Sequence, residues 1–139
     1  MDTVLNNIFF YILIVDDDKD DHFFLRQAIN QVIPQAIIES LYDGSEALEY
    51  LDNCVTLPNL ILLDLNMSKI SGRSTITLIR QNSNLSRVPV VILTTSKSTF
   101  EKEELIKLGA NDFYSKPDQV KDLVPIVREL REKYLDASF

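Results

Sequence analysis

Two short apolar segments of this chain each end directly on aspartate, and this coincidence constrains the fold more than any other feature. Residues 11–15 lead into Asp16 and Asp17, and residues 60–63 lead into Asp64. A continuous apolar run of this length is typical of a strand covered on both faces, as in a parallel sheet. Because parallel strands end at the same edge of a sheet, we expect the three carboxylates to meet there.

Strand-like and helix-like patterns alternate along the whole chain. Strands are predicted over residues 9–15, 36–41, 60–63, 88–93 and 112–115. Four helices are predicted from Asp20 or Asp21 to Pro34, over 45–51, through Ile76 and Ile79 to Leu85, and over 100–108. A fifth helix contains Pro125, so it either begins near Lys121 or Asp122 or has a kink at the proline. This alternation predicts an α/β fold with a doubly wound, five-stranded parallel sheet.

Size and charge exclude several classes of function. The 139 residues suffice for one domain, which we expect to span 1–139 with residues 1–7 as a short N-terminal extension. The net charge of −7 and the lack of a basic stripe argue against nucleic-acid binding. No apolar stretch is long enough to cross a membrane, and the single cysteine, Cys54, cannot form an internal disulfide. We therefore expect a cytoplasmic protein.

The strand order 2-1-3-4-5 would bring different reactive groups to one edge of the sheet. Asp16 and Asp17 follow the first strand, Asp64 follows the third, Thr94 follows the fourth and Lys116 follows the fifth. Crowded carboxylates repel one another, and Mg²⁺, which prefers oxygen ligands, would relieve that repulsion. We predict Asp17 and Asp64 as ligands, with Asp16 as a further ligand or as the holder of a bound water.

The same edge has the groups that phosphoryl transfer requires. A carboxylate oxygen of Asp64 that is not bound to metal can act as a nucleophile toward a phosphoryl group. Magnesium, Lys116 and the hydroxyl of Thr94 would neutralise charge on the transferred oxygens. The sequence therefore predicts a phosphoryl acceptor at Asp64.

The chain resembles the receiver domains of two-component response regulators. The resemblance extends over nearly the whole chain, in segments 12–17, 62–67, Gly72, 88–95 and 109–117. It implies a flavodoxin-like receiver fold, whose 2-1-3-4-5 strand order is known from the chemotaxis member of this family. The chain also resembles the small regulators paired with bacterial phytochromes, in its short lead-in to the first strand, in the stretch 93–96 and in the expected lack of an output domain.

The resemblance assigns roles at the phosphoryl site. It implies that Asp64 is the phosphoacceptor and that Asp16 and Asp17 are the acidic pair that binds Mg²⁺. The backbone carbonyl of Asn66 would complete the protein ligands. Lys116 would pair with Asp64 or with its phosphoryl group.

The resemblance also assigns the switch. Thr94 would supply the switch hydroxyl, and Phe113 stands at the position of the switch aromatic. Because a ring held in water exposes apolar area, we expect Phe113 to favour an inward position more than a tyrosine would. The Lys116–Pro117 peptide would be cis, as in the family pattern. Ser68 stands where a proline is common, so a looser loop is expected there.

Other polar residues near the site receive ordinary structural interpretations. Asp18, Asp20 and Asp21 are expected to cap the first helix or to be solvated. His22 is expected on the surface of the first helical turn. Cys54 is expected in a loop with no redox role.

Three functions fit the pattern to different degrees. In the first, a sensor histidine kinase phosphorylates Asp64. The output is contact with a downstream protein, homodimerisation or onward transfer to a phosphotransfer protein. Such a switch is not an enzyme, although it can dephosphorylate itself. A hydrolase of the haloacid-dehalogenase type would need a second aspartate two residues later, where this chain has Asn66. A flavodoxin-like FMN carrier would place phosphate in an acidic loop that repels it. The sequence names neither the kinase, the target nor the signal.

Overall fold

One parallel sheet forms the centre of the molecule. The computed structural model describes residues 10–136. The strands are β1 (Tyr11–Val15), β2 (Ile37–Leu41), β3 (Leu60–Leu63), β4 (Val90–Thr94) and β5 (Asp112–Ser115). All pairings are parallel and the strand order is β2-β1-β3-β4-β5, which confirms the predicted doubly wound sheet. Residues 1–7, predicted as an extension, and residue 9 of the predicted first strand lie outside the described residues.

Helices cover both faces of the sheet. They are α1 (Lys19–Val32), α2 (Gly44–Asn53), α3 (Gly72–Gln81), α4 (Thr99–Lys107) and α5 (Leu123–Leu130). Helices α1 and α5 pack on one face, and α2, α3 and α4 contribute to the core on the other. Alternate residues of β1 divide between the two cores: Leu13 and Val15 belong to one, and Ile12 and Ile14 to the other. This explains the unbroken apolar runs, since both faces of each central strand are buried.

The first helix begins earlier than predicted. The carboxylate of Asp18 accepts hydrogen bonds from the backbone N–H groups of Asp20 and Asp21, so Asp18 is the N-cap and α1 begins at Lys19. The prediction that Asp20 or Asp21 caps this helix is therefore wrong. Its end agrees with the sequence, because the helix stops at Val32, two residues before Pro34.

Two other helix boundaries depend on local chemistry. Pro125 is the third residue of α5 and so lies in the first turn, where a missing N–H group costs little. Leu85 does not extend α3, because Asn82 ends that helix and caps a separate 3₁₀ turn over Ser83–Leu85. Gly109 follows α4 with a φ of +115°, a conformation that favours glycine.

None of the helices described between residues 10 and 136 combines the length and apolar character that a bilayer crossing requires.

Candidate functional site

Three carboxylates meet at the carboxyl edge of the sheet, as the sequence predicts. Asp16, Asp17 and Asp64 each offer an oxygen within 4.8 Å of the others. The register of β1 and β3 causes this convergence, since Val15 pairs with Leu63 and the N–H of Asp64 donates to the carbonyl of Val15 at 2.9 Å. Asp16 and Asp64 are buried, whereas Asp17 is exposed.

Neighbouring backbone groups fix two of these carboxylates. The N–H of Asp18 donates to Oδ1 of Asp16 at 2.9 Å, and the N–H of Ser68 donates to Oδ2 of Asp17 at 3.2 Å. The contact of Ser68 ties the loop after β3 to the end of β1, which runs against the expectation of a looser loop. A proline at position 68 has no N–H group and could not make this contact.

Lys116 contacts three carboxylates. Its Nζ lies 2.7 Å from Asp21, 2.9 Å from Asp16 and 3.4 Å from Asp64. The backbone places it there, because β5 pairs with β4 and the N–H of Lys116 donates to the carbonyl of Thr94 at 2.6 Å. The expected neighbourhood with Asp64 is present, but the shorter contact with Asp21 corrects the prediction that Asp21 is only a solvated or capping residue.

The peptide bond before Pro117 is trans, because the described residues contain no cis peptide bond. The expectation of a cis bond is therefore wrong. A trans X–Pro bond is favoured by about 0.5–1 kcal/mol in the absence of other constraints. Lys116 reaches the carboxylates from the trans backbone, so its place in the site does not require the rarer isomer.

Crowding and burial disfavour the charged forms of the acidic residues. Burial, aided by the negative charge of Asp16, raises the pKa of Asp64 to about 6, while Lys116 and the N–H of Asn66 oppose the rise. Burial also raises the pKa of Asp16. Burial would lower the pKa of Lys116, but its hydrogen bonds to Asp21 and Asp16 outweigh that effect and raise it.

The donor set fits a hard divalent cation. Three carboxylate oxygens converge, and burial raises the pKa values of two of the carboxylates, Asp16 and Asp64. A bound cation would lower these pKa values again, because it stabilises the charged forms. Asp16, Asp17 and Asp64 are the side chains that would hold Mg²⁺. Asn66 lies exposed on the loop two residues after Asp64, and the ligand role of its carbonyl stays a prediction.

The two predicted switch residues are both inside the molecule. The side chain of Thr94 is fully buried at the end of β4, and its hydroxyl oxygen accepts from the N–H of Ser96 at 3.4 Å. The ring of Phe113 is also buried, in the core with α2, α3 and α4. The inward position of Phe113 agrees with the sequence, and the comparison with a tyrosine stays a prediction.

A polar network that the sequence did not indicate holds the loop between β4 and α4. The hydroxyl of Ser115 donates to the carbonyl of Ser96 at 2.7 Å, and the hydroxyl of Ser96 bonds to the carboxylate of Glu101. Arg73 of α3 binds Glu101 at 3.0 Å and Glu104 at 2.7 Å. The loop that follows Thr94 is thereby connected to the helix that follows the Asp64 loop.

His22 is buried, which corrects the prediction of a surface position. Its Nε2 donates to the carbonyl of Asp16 at 2.7 Å, and its ring lies 4.5 Å from that of Tyr42. The signal was in the spacing, because residues 22, 25 and 29 share one helical face and the other two are apolar. Cys54 is half-buried at the end of α2, with its thiol against the carbonyl of Leu51.

The sheet order and the acidic edge with its lysine are those of a receiver domain. The sequence model for the response regulator receiver domain matches residues 12–128. The chain therefore belongs to the response-regulator receiver family, which serves two-component signalling.

The chain is also similar to individual regulatory proteins. The chain is 40% identical to the response regulator Rcp1 of Synechocystis over 79 residues, which make up 57% of this chain and 54% of Rcp1. It is 35% identical to the probable methanogenesis regulatory protein FilR2 of Methanothrix harundinacea over 102 residues, 70% of this chain and 66% of FilR2. The match thus spans between about half and two thirds of the length of these relatives.

Solved structures support the same assignment. The phosphorylated cyanobacterial phytochrome response regulator RcpA has a TM-score of 0.87 and 29% identity, with 95% of this chain and 98% of RcpA covered. The Mn²⁺-bound form of Rcp1 has a TM-score of 0.78 and 33% identity, with coverage of 88% and 92%. The similarity to phytochrome-associated regulators that the sequence indicated is confirmed.

Proposed function

We propose that this protein is a phosphorylation-dependent switch in which Asp64 accepts a phosphoryl group from a sensor histidine kinase in the presence of Mg²⁺. The observation that carries the proposal is the placement of Asp64 beside two other carboxylates and 3.4 Å from the ammonium of Lys116. The Mn²⁺-bound and phosphorylated relatives support it. We take the switch to be one domain over 1–139 that acts in the cytoplasm.

Each residue of the site would have its own role in the transfer of the phosphoryl group from the kinase. A carboxylate oxygen of Asp64 forms a bond to phosphorus as the bond from phosphorus to the donor nitrogen breaks. Lys116 neutralises negative charge on the phosphoryl oxygens, and Asp16, Asp17 and Asp64 would hold the cation. The bound Mg²⁺ would supply a second positive charge to those oxygens. Burial of Asp64 strengthens each of these electrostatic interactions.

The new charge would then be read by the two buried switch residues. A phosphoryl group adds about −1.5 to −2 charges and strong acceptor oxygens, which draw the hydroxyl of Thr94 toward Asp64. The loop after Thr94 moves with it, and Phe113 repacks in the space behind. The output is contact with a downstream protein, a homodimer or transfer to a phosphotransfer protein. The proposal includes self-dephosphorylation but no turnover of an external substrate.

Acetyl phosphate tests the proposal without the cognate kinase. With Mg²⁺, the protein should gain the mass of one phosphoryl group, and the label should be stable in acid and labile in base. Asp64→Asn should abolish it, whereas Asp20→Asn, which removes an exposed neighbouring charge, should not. A full label in Asp64→Asn would reject the proposal. Turnover of p-nitrophenyl phosphate would favour a hydrolase instead, and a yellow purified protein would favour an FMN carrier.

A further inference from the structure

We infer that Asp21 is a positioning residue that competes with the phosphoryl group on Asp64 for the ammonium of Lys116. The inference rests on the proposed function of Asp64 as a phosphoacceptor. It concerns a residue of α1 outside the group of three carboxylates suited to hold a cation. Its consequence is that Asp21 restrains phosphorylation rather than assisting it.

The contacts of Lys116 carry the inference. Its Nζ lies 2.7 Å from Oδ2 of Asp21, which is 0.7 Å closer than the 3.4 Å that separates it from Oδ1 of Asp64. The contacts with Asp21 and Asp16 are hydrogen bonds. The ammonium is thus held on the α1 side of the site, by a residue 95 positions away in sequence.

The surroundings make this ion pair stronger than one on an open surface. The side chain of Lys116 is only 14% exposed and that of Asp21 is 36% exposed. Phe24, Leu93 and Val120 line the pocket in which both charged side chains lie. Because apolar walls exclude water from one side, the attraction between the two charges is screened less than at the surface.

The charge balance of the site changes on phosphorylation. Before phosphorylation, the ammonium of Lys116 forms ion pairs with the carboxylates of Asp16, Asp21 and Asp64. Afterwards, the phosphoryl group adds up to about two negative charges at Asp64, and Lys116 is drawn toward them. Asp21 opposes this movement and also repels the phosphoryl group. Neutral residues at position 21 would remove both effects.

The neutral variant should have opposite effects on two ligands. Without Asp21, Lys116 keeps its hydrogen bond to Asp16 but loses its closest contact on the α1 side, so it can move toward Asp64. There it adds positive charge close to the cation site and weakens Mg²⁺ binding. The same movement strengthens binding of a phosphoryl mimic. General damage to the site would weaken both, so the opposite signs distinguish competition from loss of structure.

Beryllium fluoride is a suitable probe, because with an acidic side chain it imitates an aspartyl phosphate. Calorimetric titration at saturating Mg²⁺ should show that Asp21→Asn binds it about threefold to fivefold more tightly than the unmodified protein. A separate Mg²⁺ titration should show weaker binding. Asp21→Ala should behave in the same way, which guards against a hydrogen bond from the asparagine amide.

Asp20→Asn is the matched control, because it removes the same charge one residue away on an exposed side chain. If both neutral variants at position 21 bind beryllium fluoride no more tightly than Asp20→Asn, the inference is overturned while the proposed function stands. If the unmodified protein neither binds beryllium fluoride nor accepts a phosphoryl group, the proposed function fails and the inference fails with it.

Discussion

Gly72 packs against the carbonyl oxygen of Asp64 so closely that a Cβ atom at residue 72 would lie 2.6 Å from it. The same atom would lie 2.7 Å from Cα of Leu65, so both obstacles belong to the backbone. A side chain at the start of α3 would therefore displace the segment that bears the proposed phosphoacceptor. The backbone of Asp64 therefore has two close neighbours, Val15 at its N–H group and Gly72 at its carbonyl oxygen.

Substitution of Gly72 should damage both stability and the site. We expect Gly72→Ala to lower the free energy of unfolding by about 1–3 kcal/mol, the range typical of overpacked positions. Urea denaturation measures the change, with Gln81→Ala at the exposed end of the same helix as the control. A Gly72→Ala protein as stable as the unmodified one would contradict this packing.

The ionisation of Asp64 should make stability fall as the pH rises. The folded protein binds the proton of Asp64 with a pKa of about 6, whereas the unfolded chain has a value of about 4. The folded state therefore binds more protons between these values, and the free energy of unfolding decreases from about pH 4 to about pH 6.

Asp64→Asn removes this ionisation, so it should be more stable than the unmodified protein at pH 7 by about 1–3 kcal/mol. The difference should vanish below about pH 4, where Asp64 is protonated in both states. Denaturation in the presence of EDTA over this pH range measures it. A destabilised Asp64→Asn protein at pH 7 would show that the charge of Asp64 is compensated in the fold.

Magnesium should stabilise the protein through the three carboxylates. A ligand that binds only the folded state raises the free energy of unfolding with its concentration. We expect Mg²⁺ to raise the Tm, EDTA to reverse the rise, and Asp17→Asn to reduce it strongly. Because the ligand oxygens must be deprotonated, the effect should weaken as the pH falls through the pKa of Asp64 at about 6. An Asp17→Asn protein that responds as Asp20→Asn does would exclude Asp17 as a ligand.

A tyrosine at position 113 should make the folded protein less stable than the phenylalanine does. Phe113 is 7% exposed, and a hydroxyl buried there without a partner would cost about 1–3 kcal/mol. We expect Phe113→Tyr to be less stable in the unphosphorylated form and to turn its ring outward. A crystal structure of that variant checks the ring position, and Phe113→Leu serves as a core control. A tyrosine ring found fully inward at unchanged stability would refute the expectation.

The central strands could be predicted because burial on both faces leaves a continuous apolar run. The predicted bounds of β3 and β5 agree with the structure. The convergence of Asp16, Asp17 and Asp64 could be predicted because β1 and β3 are parallel neighbours that end at the same edge of the sheet. The ends of the helices were harder to predict from the sequence. Several acidic residues compete to cap α1, and only the geometry of Asp18 decides between them.

The contacts that the sequence did not indicate are those between side chains from distant elements. Asp21 and Lys116 are 95 positions apart in sequence, and their contact depends on side-chain rotamers that a local sequence pattern does not reveal. His22 was different, since its helical spacing with buried residues was readable but its polarity suggested solvent. Ser68 matters through its backbone N–H, which most residue types would supply equally well.

The most direct test of the account is to locate the phosphoryl group itself. Protein phosphorylated with acetyl phosphate and Mg²⁺ is reduced with borohydride, which converts an aspartyl phosphate to homoserine, and peptide mass spectrometry then identifies the altered residue. The account predicts modification at position 64 alone and none when Mg²⁺ is withheld. Modification at Asp16 or Asp17 in place of Asp64, or no modification in the complete mixture, would contradict it.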